Sequence, residues 1–212
     1  MLGRIYTIIA IAGKKYKKEV LLVKSTGIVR KIDDLGRLVI PKEIRRTFRI
    51  REGDPLEIYV DREGEIILKK YSSVSELGDF AKEYADSLHD VVGHIVLIAD
   101  RDIIVAVAGS SKKDFLNKLI GSIVEKVMED RKAILLNNIS TDKSSKGSII
   151  DSDDDDDELC KYASEVIAPI IVEGASIGAV IICSKQPGTQ MGEIEVKLAE
   201  TAAGFLAKQM TI

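Results

Sequence analysis

Seven cations fall between positions 30 and 49: Arg30, Lys31, Arg37, Lys42, Arg45, Arg46 and Arg49. A guanidinium carries a fixed charge, and its planar fork donates two parallel hydrogen bonds to a phosphate or a guanine edge. Lys42, Arg45, Arg46 and Arg49 recur at i, i+3, i+4 and i+7, so a helix over 42–49 would carry them as one stripe, with Ile44 and Phe48 on the other side. A cationic stripe alone is most often a solvated helix face. Arg30 and Arg37 sit near the ends of neighbouring strand-like segments, and cations converging from several elements are what a polyanion site requires.

Other chemistries are poorly supplied. The two histidines, His89 and His94, lie five apart across an expected helix end and read as surface or capping residues rather than metal ligands. Cys160 and Cys183 have neither metal nor redox spacing, and Cys183, within AVIIC, reads as a small core residue. Gly109–Lys113 lacks the spacing of a phosphate loop and reads as a turn. The run Asp151–Glu158 lacks the glycine and glutamate positions of a calcium loop and reads as a flexible charged loop. There is no Ser/His/Asp set, no Cys/His pair, no paired carboxylates on a rigid element and no dinucleotide fingerprint. We therefore expect no enzyme activity, no cofactor and no metal. No apolar run reaches the roughly 18 residues of a membrane helix.

Charge divides the chain. Residues 24–71 carry 12 Lys/Arg against 9 Asp/Glu, a net +3, whereas residues 72–212 carry 14 against 24, a net −10. Only the first part is expected to meet a polyanion. Residues 1–22 read poorly as structure. A signal peptide is one reading of Arg4 and the following apolar run. The preferred one is a translated leader: Lys18-Glu19-Val20 can be encoded by a strong ribosome-binding sequence, and Val23 by an alternative start codon.

The elements follow from alternation and punctuation. Gly27–Ile32 and Arg37–Ile40 read as strands around an Asp33–Gly36 turn. Pro41 suits a first helical position, opening a helix over Lys42–Arg49. Leu56–Val60 and Glu65–Lys69 read as a hairpin across Asp61–Gly64. Beyond a short linker at 72–75, Ser75 is expected to cap a helix to about His89, with Leu77, Phe80/Ala81, Tyr84, Leu88 and Val91 along a helix–helix seam. Strands are expected at Ile95–Ala99 and Ile103–Ala108, a helix from an Asp114 cap to Met128, a short strand at Ala133–Leu136 and a polar loop over 137–163. Strands at Glu165–Ile171 and Ile177–Cys183 precede a helix over Gly192–Met210, with Ile194, Leu198, Thr201/Ala202, Phe205 and Gln209/Met210 along one face. This order is an α+β sandwich with one antiparallel sheet. A module of about 48 residues buries little surface alone, so pairing of two copies through their strands is expected.

The stretch VKSTGIVRKIDDLGRLVIPKEIRRTFRI…GDPLEIYVD…IILKKY resembles the DNA-binding domain of the AbrB transition-state regulators, covering 23–71. The resemblance implies a dimeric swapped-hairpin β-barrel that binds double-stranded promoter DNA through Arg30, Arg37, Arg45 and Arg46, with Lys31 beside them. It also places the family's start at Val23. The stretch APIIVEGASIGAVIICSK, followed by a long helix, resembles the end of a GAF domain over 76–212, which implies a pocket for a small-molecule effector. The acidic run departs from that pattern, so no particular ligand is carried over. The two modules in this order resemble a family of sporulation transcription regulators. That implies a cytoplasmic protein controlling late, forespore-specific genes as a homotetramer, dimers forming through the first module and joining through GAF-domain helices. The alternative is an antitoxin-like DNA-binding module of a toxin–antitoxin pair, which a folded second domain of this size disfavours.

Overall fold

The computed structural model describes residues 27–60, 64–137, 148–151 and 162–210. The expected leader, the Asp61–Glu63 part of the hairpin turn, Cys160 and most of the acidic run lie outside the described residues. The chain divides into two compact units, the first ending at Tyr71 and the second beginning at Ser72.

In the first unit, Asp33 builds the expected turn. Its Oδ1 accepts the Leu35 and Arg37 N–H groups at 3.1 and 2.6 Å, and its own N–H bonds the Arg37 carbonyl at 3.0 Å. This is the local bonding that favours Asp in turns. The flanking segments 27–32 and 37–40 are not regular strands. Helix α1 spans Lys42–Thr47, with Pro41 one position earlier than expected: it is the cap, and its carbonyl accepts the Arg45 N–H at 2.9 Å. Strands β1 (Leu56–Val60) and β2 (Ile66–Lys70) pair antiparallel, Leu56 facing Lys70 and Val60 facing Ile66.

The second unit is a five-stranded antiparallel sheet in the order β4-β3-β7-β6-β5, built from β3 (Ile95–Asp100), β4 (Ile104–Ala108), β5 (Ile134–Asn137), β6 (Ser164–Val172) and β7 (Ala175–Ser184). Alternation sends Val96, Ile98, Val166, Ala168, Val180 and Ile182 to one face, against α3 (Gly78–Val92) and α6 (Glu193–Gln209). Leu97, Ala99, Ile167, Ile181 and Cys183 fill the other face, against α5 (Ser122–Asp130) and Phe115.

Several expectations need correction here. The stretch read as a linker forms the short helix α2 (Ser73–Glu76), so Ser75 lies inside a helix rather than capping one; Val74 is buried and Ser72 Oγ donates to Asp100 Oδ2 at 2.8 Å. The single helix expected over 114–128 is two, α4 (Lys112–Phe115) and α5. Between them Asn117 turns left-handed (φ 63°), Asn117 N–H and Lys118 carbonyl bond Ile104 at 2.9 and 3.0 Å, and Ile120 bridges to Ile150. Sheet-like pairing wins there over helical spacing. Within the expected polar loop, Ile149, Ile150 and Tyr162 are core residues. Helix α6 buries Ala199, Ala202, Ala203 and Leu206, and Ile194 and Phe205 of its expected apolar face are exposed. His89 Nδ1 donates to the His94 carbonyl at 2.6 Å, across the left-handed Gly93 that ends α3.

Candidate nucleic-acid interface

All five cations expected to contact DNA lie in the first unit, and all are exposed: Arg30, Lys31, Arg37, Arg45 and Arg46. Lys31 and Arg37 flank the Asp33 turn, whose carboxylate fixes the Arg37 backbone, and Arg30 Nη1 donates to the Val29 carbonyl at 3.2 Å. Arg45 and Arg46 are consecutive on α1, so their side chains leave the helix about 100° apart. The fold thus delivers cations on two supports, a carboxylate-built turn and a short helix. Both ends of that helix are defined by main-chain bonds.

The expected stripe along α1 stops at Arg46. Arg49 is half-buried and left-handed (φ 50°), beyond the end of the helix. The Ile50 N–H bonds the Arg45 carbonyl at 2.7 Å and the Arg49 N–H bonds the Arg46 carbonyl at 3.3 Å. This is a Schellman stop with arginine where glycine is usual. Sequence reasoning also missed two residues that hold this stop. Neither Asp54 nor Lys70 was given a role from its type or position. In the structure Lys70 Nζ donates to the Arg49 carbonyl at 2.9 Å and pairs with Asp54 Oδ2 at 3.5 Å, and Asp54 Oδ2 also accepts the Arg51 N–H at 2.8 Å. The only signal in the sequence is an Asp at a turn and a Lys at the end of a hairpin, which many exposed pairs share. Lys69 takes another course, its ammonium 4.4 Å from the centroid of the Tyr59 ring.

The same unit leaves apolar side chains uncovered. Val29 is 84% exposed, Val39 and Val60 are each 70%, and Leu35 is 67%. In the second unit the outward sides of α3 and α6 carry Phe80, Tyr84 and Phe205, with Tyr84 and Phe205 ring centroids 5.2 Å apart and Phe80 and Phe205 6.0 Å apart. Burial holds the Tyr84 hydroxyl above its ordinary pKa.

Residues 76–211 match the family model of the stage V sporulation protein T C-terminal region, described as a transcription factor. Residues 29–76 match that of antidote–toxin recognition MazE, a bacterial antitoxin. The second unit shares its fold with the GAF domain of a phosphoenolpyruvate-protein phosphotransferase from Coxiella burnetii: TM-score 0.51, 19% identity, covering 64% of this chain and 82% of that one. A methyl-accepting chemotaxis protein fragment superposes at TM-score 0.50 with 19% identity, over 64% of this chain and 88% of that one. The transition state regulatory protein AbrB of Bacillus subtilis (strain 168) is 69% identical over 51 residues, 24% of this chain and 52% of that protein. An AbrB-like module followed by a GAF-like fold makes this a two-part transcription regulator. The chain belongs to the stage V sporulation protein T family, being 58% identical to that protein of Bacillus subtilis (strain 168) over 188 residues, which is 89% of this chain and 99% of the relative.

Proposed function

We propose that the protein binds double-stranded promoter DNA as a two-fold dimer through Arg30, Lys31, Arg37, Arg45 and Arg46, and so controls late, forespore-specific sporulation genes from the cytoplasm. The observation that carries this reading is the exposure of all five cations on the AbrB-like unit, together with an uncovered apolar surface on that same unit. Intertwining two copies into a swapped-hairpin barrel would cover Val29, Val39 and Val60 and present the arginines in duplicate. Phosphate contacts then supply most of the affinity, and DNA shape contributes more than a strict base code. Two dimers join through the outward aromatic faces of α3 and α6, giving a tetramer. The GAF-like unit either senses a small molecule or serves only this assembly.

The test is titration of a promoter fragment by fluorescence anisotropy with Arg45→Ala/Arg46→Ala. We expect affinity to fall at least about tenfold with circular dichroism unchanged, as follows from removing two charge-assisted bonding groups per protomer. Unchanged affinity would place the DNA face elsewhere. The MazE match over 29–76 favours a second reading, an antitoxin-like module. Neutralisation of a toxin encoded by a neighbouring gene would support that reading.

A further inference from the structure

We propose that Asp54 and Lys70 are positioning residues for the DNA-contacting arginines of α1, fixing the carbonyls of Arg45 and Arg46 by way of the Arg49 turn. The proposal rests on the DNA-binding reading above. Helix α1 has six residues, none of them buried, and its N-cap, Pro41, makes no side-chain capping bond. So short a helix does not hold its shape by its own bonds. Its C-terminal stop is therefore decisive, and that stop is made on the arginines' own main chain: Ile50 N–H to Arg45 O at 2.7 Å and Arg49 N–H to Arg46 O at 3.3 Å.

The left-handed residue between those bonds is not glycine, so its conformation needs outside support. Lys70 provides it from the end of β2, its Nζ 2.9 Å from the Arg49 carbonyl and 3.5 Å from Asp54 Oδ2. Asp54 binds the return of the same loop, accepting the Arg51 N–H at 2.8 Å. The Asp54 side chain is 3% exposed and that of Lys70 21%. Unlike Arg45 and Arg46, Lys70 therefore directs its charge inward, onto the loop that ends the helix.

The sign of one substitution separates this role from simple electrostatics. Asp54→Asn removes a negative charge from residues 24–71, whose net charge is already +3, so Coulomb attraction alone predicts tighter binding to DNA. Positioning predicts weaker binding. We would measure intact wild-type, Asp54→Asn, Lys70→Met and double-variant protein against a short mixed-sequence duplex at low ionic strength, with amide exchange followed in the free protein. The expected result is about tenfold weaker binding for each single variant, as loss of one partner of a buried charge pair implies. The double variant should be no weaker than the worse single one, since the two act as a pair. Exchange of the Arg49 and Ile50 amides should quicken in all three variants. Equal or tighter binding by Asp54→Asn would overturn the proposal. Should that variant fail to fold, Lys70→Met decides alone: weaker binding with unchanged exchange at Arg49 and Ile50 would make Lys70 a phosphate ligand and sink the positioning role. If wild-type protein ignores DNA while exchange quickens, the DNA reading fails and the Asp54–Lys70 support of α1 stands.

Discussion

Single carboxylates carry much of the local order. Asp100, nearly buried at the end of β3, accepts the Asp102 and Ile103 N–H groups on Oδ1, each at 2.8 Å, and the Ser72 hydroxyl on Oδ2. Asp100→Ala would leave one buried and two half-buried donors without that acceptor, and we expect a loss of about 2–3 kcal/mol, read from the denaturation midpoint. Cys183 gives a pH-dependent prediction. Burial raises its thiol far above the ordinary range, the Glu165 carboxylate adds to the rise and the Lys185 ammonium opposes it. The folded state thus keeps a proton that the unfolded chain releases at about pH 8.5. This contribution to stability is complete below that pH and declines as pH rises above it. In a Cys160→Ser background, the thiol should ignore thiol reagents at neutral pH until the protein unfolds. The exposed cations of the first unit were legible as residues in the sequence. The pair that supports them was not, because burial of Asp54 and Lys70 depends on a register that their types do not encode.

Elements with a partner close in sequence were the easiest to read. The β1–β2 hairpin, and β6 with β7 around Glu173-Gly174, follow from apolar alternation interrupted by turn residues. The break between α4 and α5 was hidden, because Phe115, Leu119, Ile123 and Val127 keep helical spacing throughout. The break is made by groups from elsewhere in the chain. A Cβ on Gly121 would lie 1.8 Å from the Ser148 carbonyl oxygen. Gly121→Ala must therefore push the 148–150 segment away from the start of α5. We expect a cost of about 1–3 kcal/mol or more, seen as a lowered melting temperature. Which face of α6 is buried was hidden for a related reason. It has two apolar stripes, and small alanines rather than Ile194 and Phe205 meet the sheet. At the end of α1, Arg49→Gly relieves a left-handed arginine and should raise the stability of the first unit by up to about 1 kcal/mol.

At the scale of the whole molecule, the uncovered surfaces of the two units predict assembly. Phe205→Glu places a charge among the Phe80, Tyr84 and Phe205 rings, so sedimentation should show dimers in place of tetramers, with the GAF-like fold retained by circular dichroism. The uneven charge predicts the manner of DNA binding. A net +3 on residues 24–71 and −10 on residues 72–212 confine attraction for DNA to the first unit. The most direct test is the salt dependence of DNA affinity for the intact protein and for Arg45→Ala/Arg46→Ala. Duplicate arginine sets on a two-fold dimer should give a steep fall of log K with log salt. Removing four guanidinium groups per dimer should flatten that slope by up to about 3.6, at roughly 0.9 for each phosphate no longer neutralised. An affinity indifferent to salt, or a slope identical in the two proteins, would contradict the account.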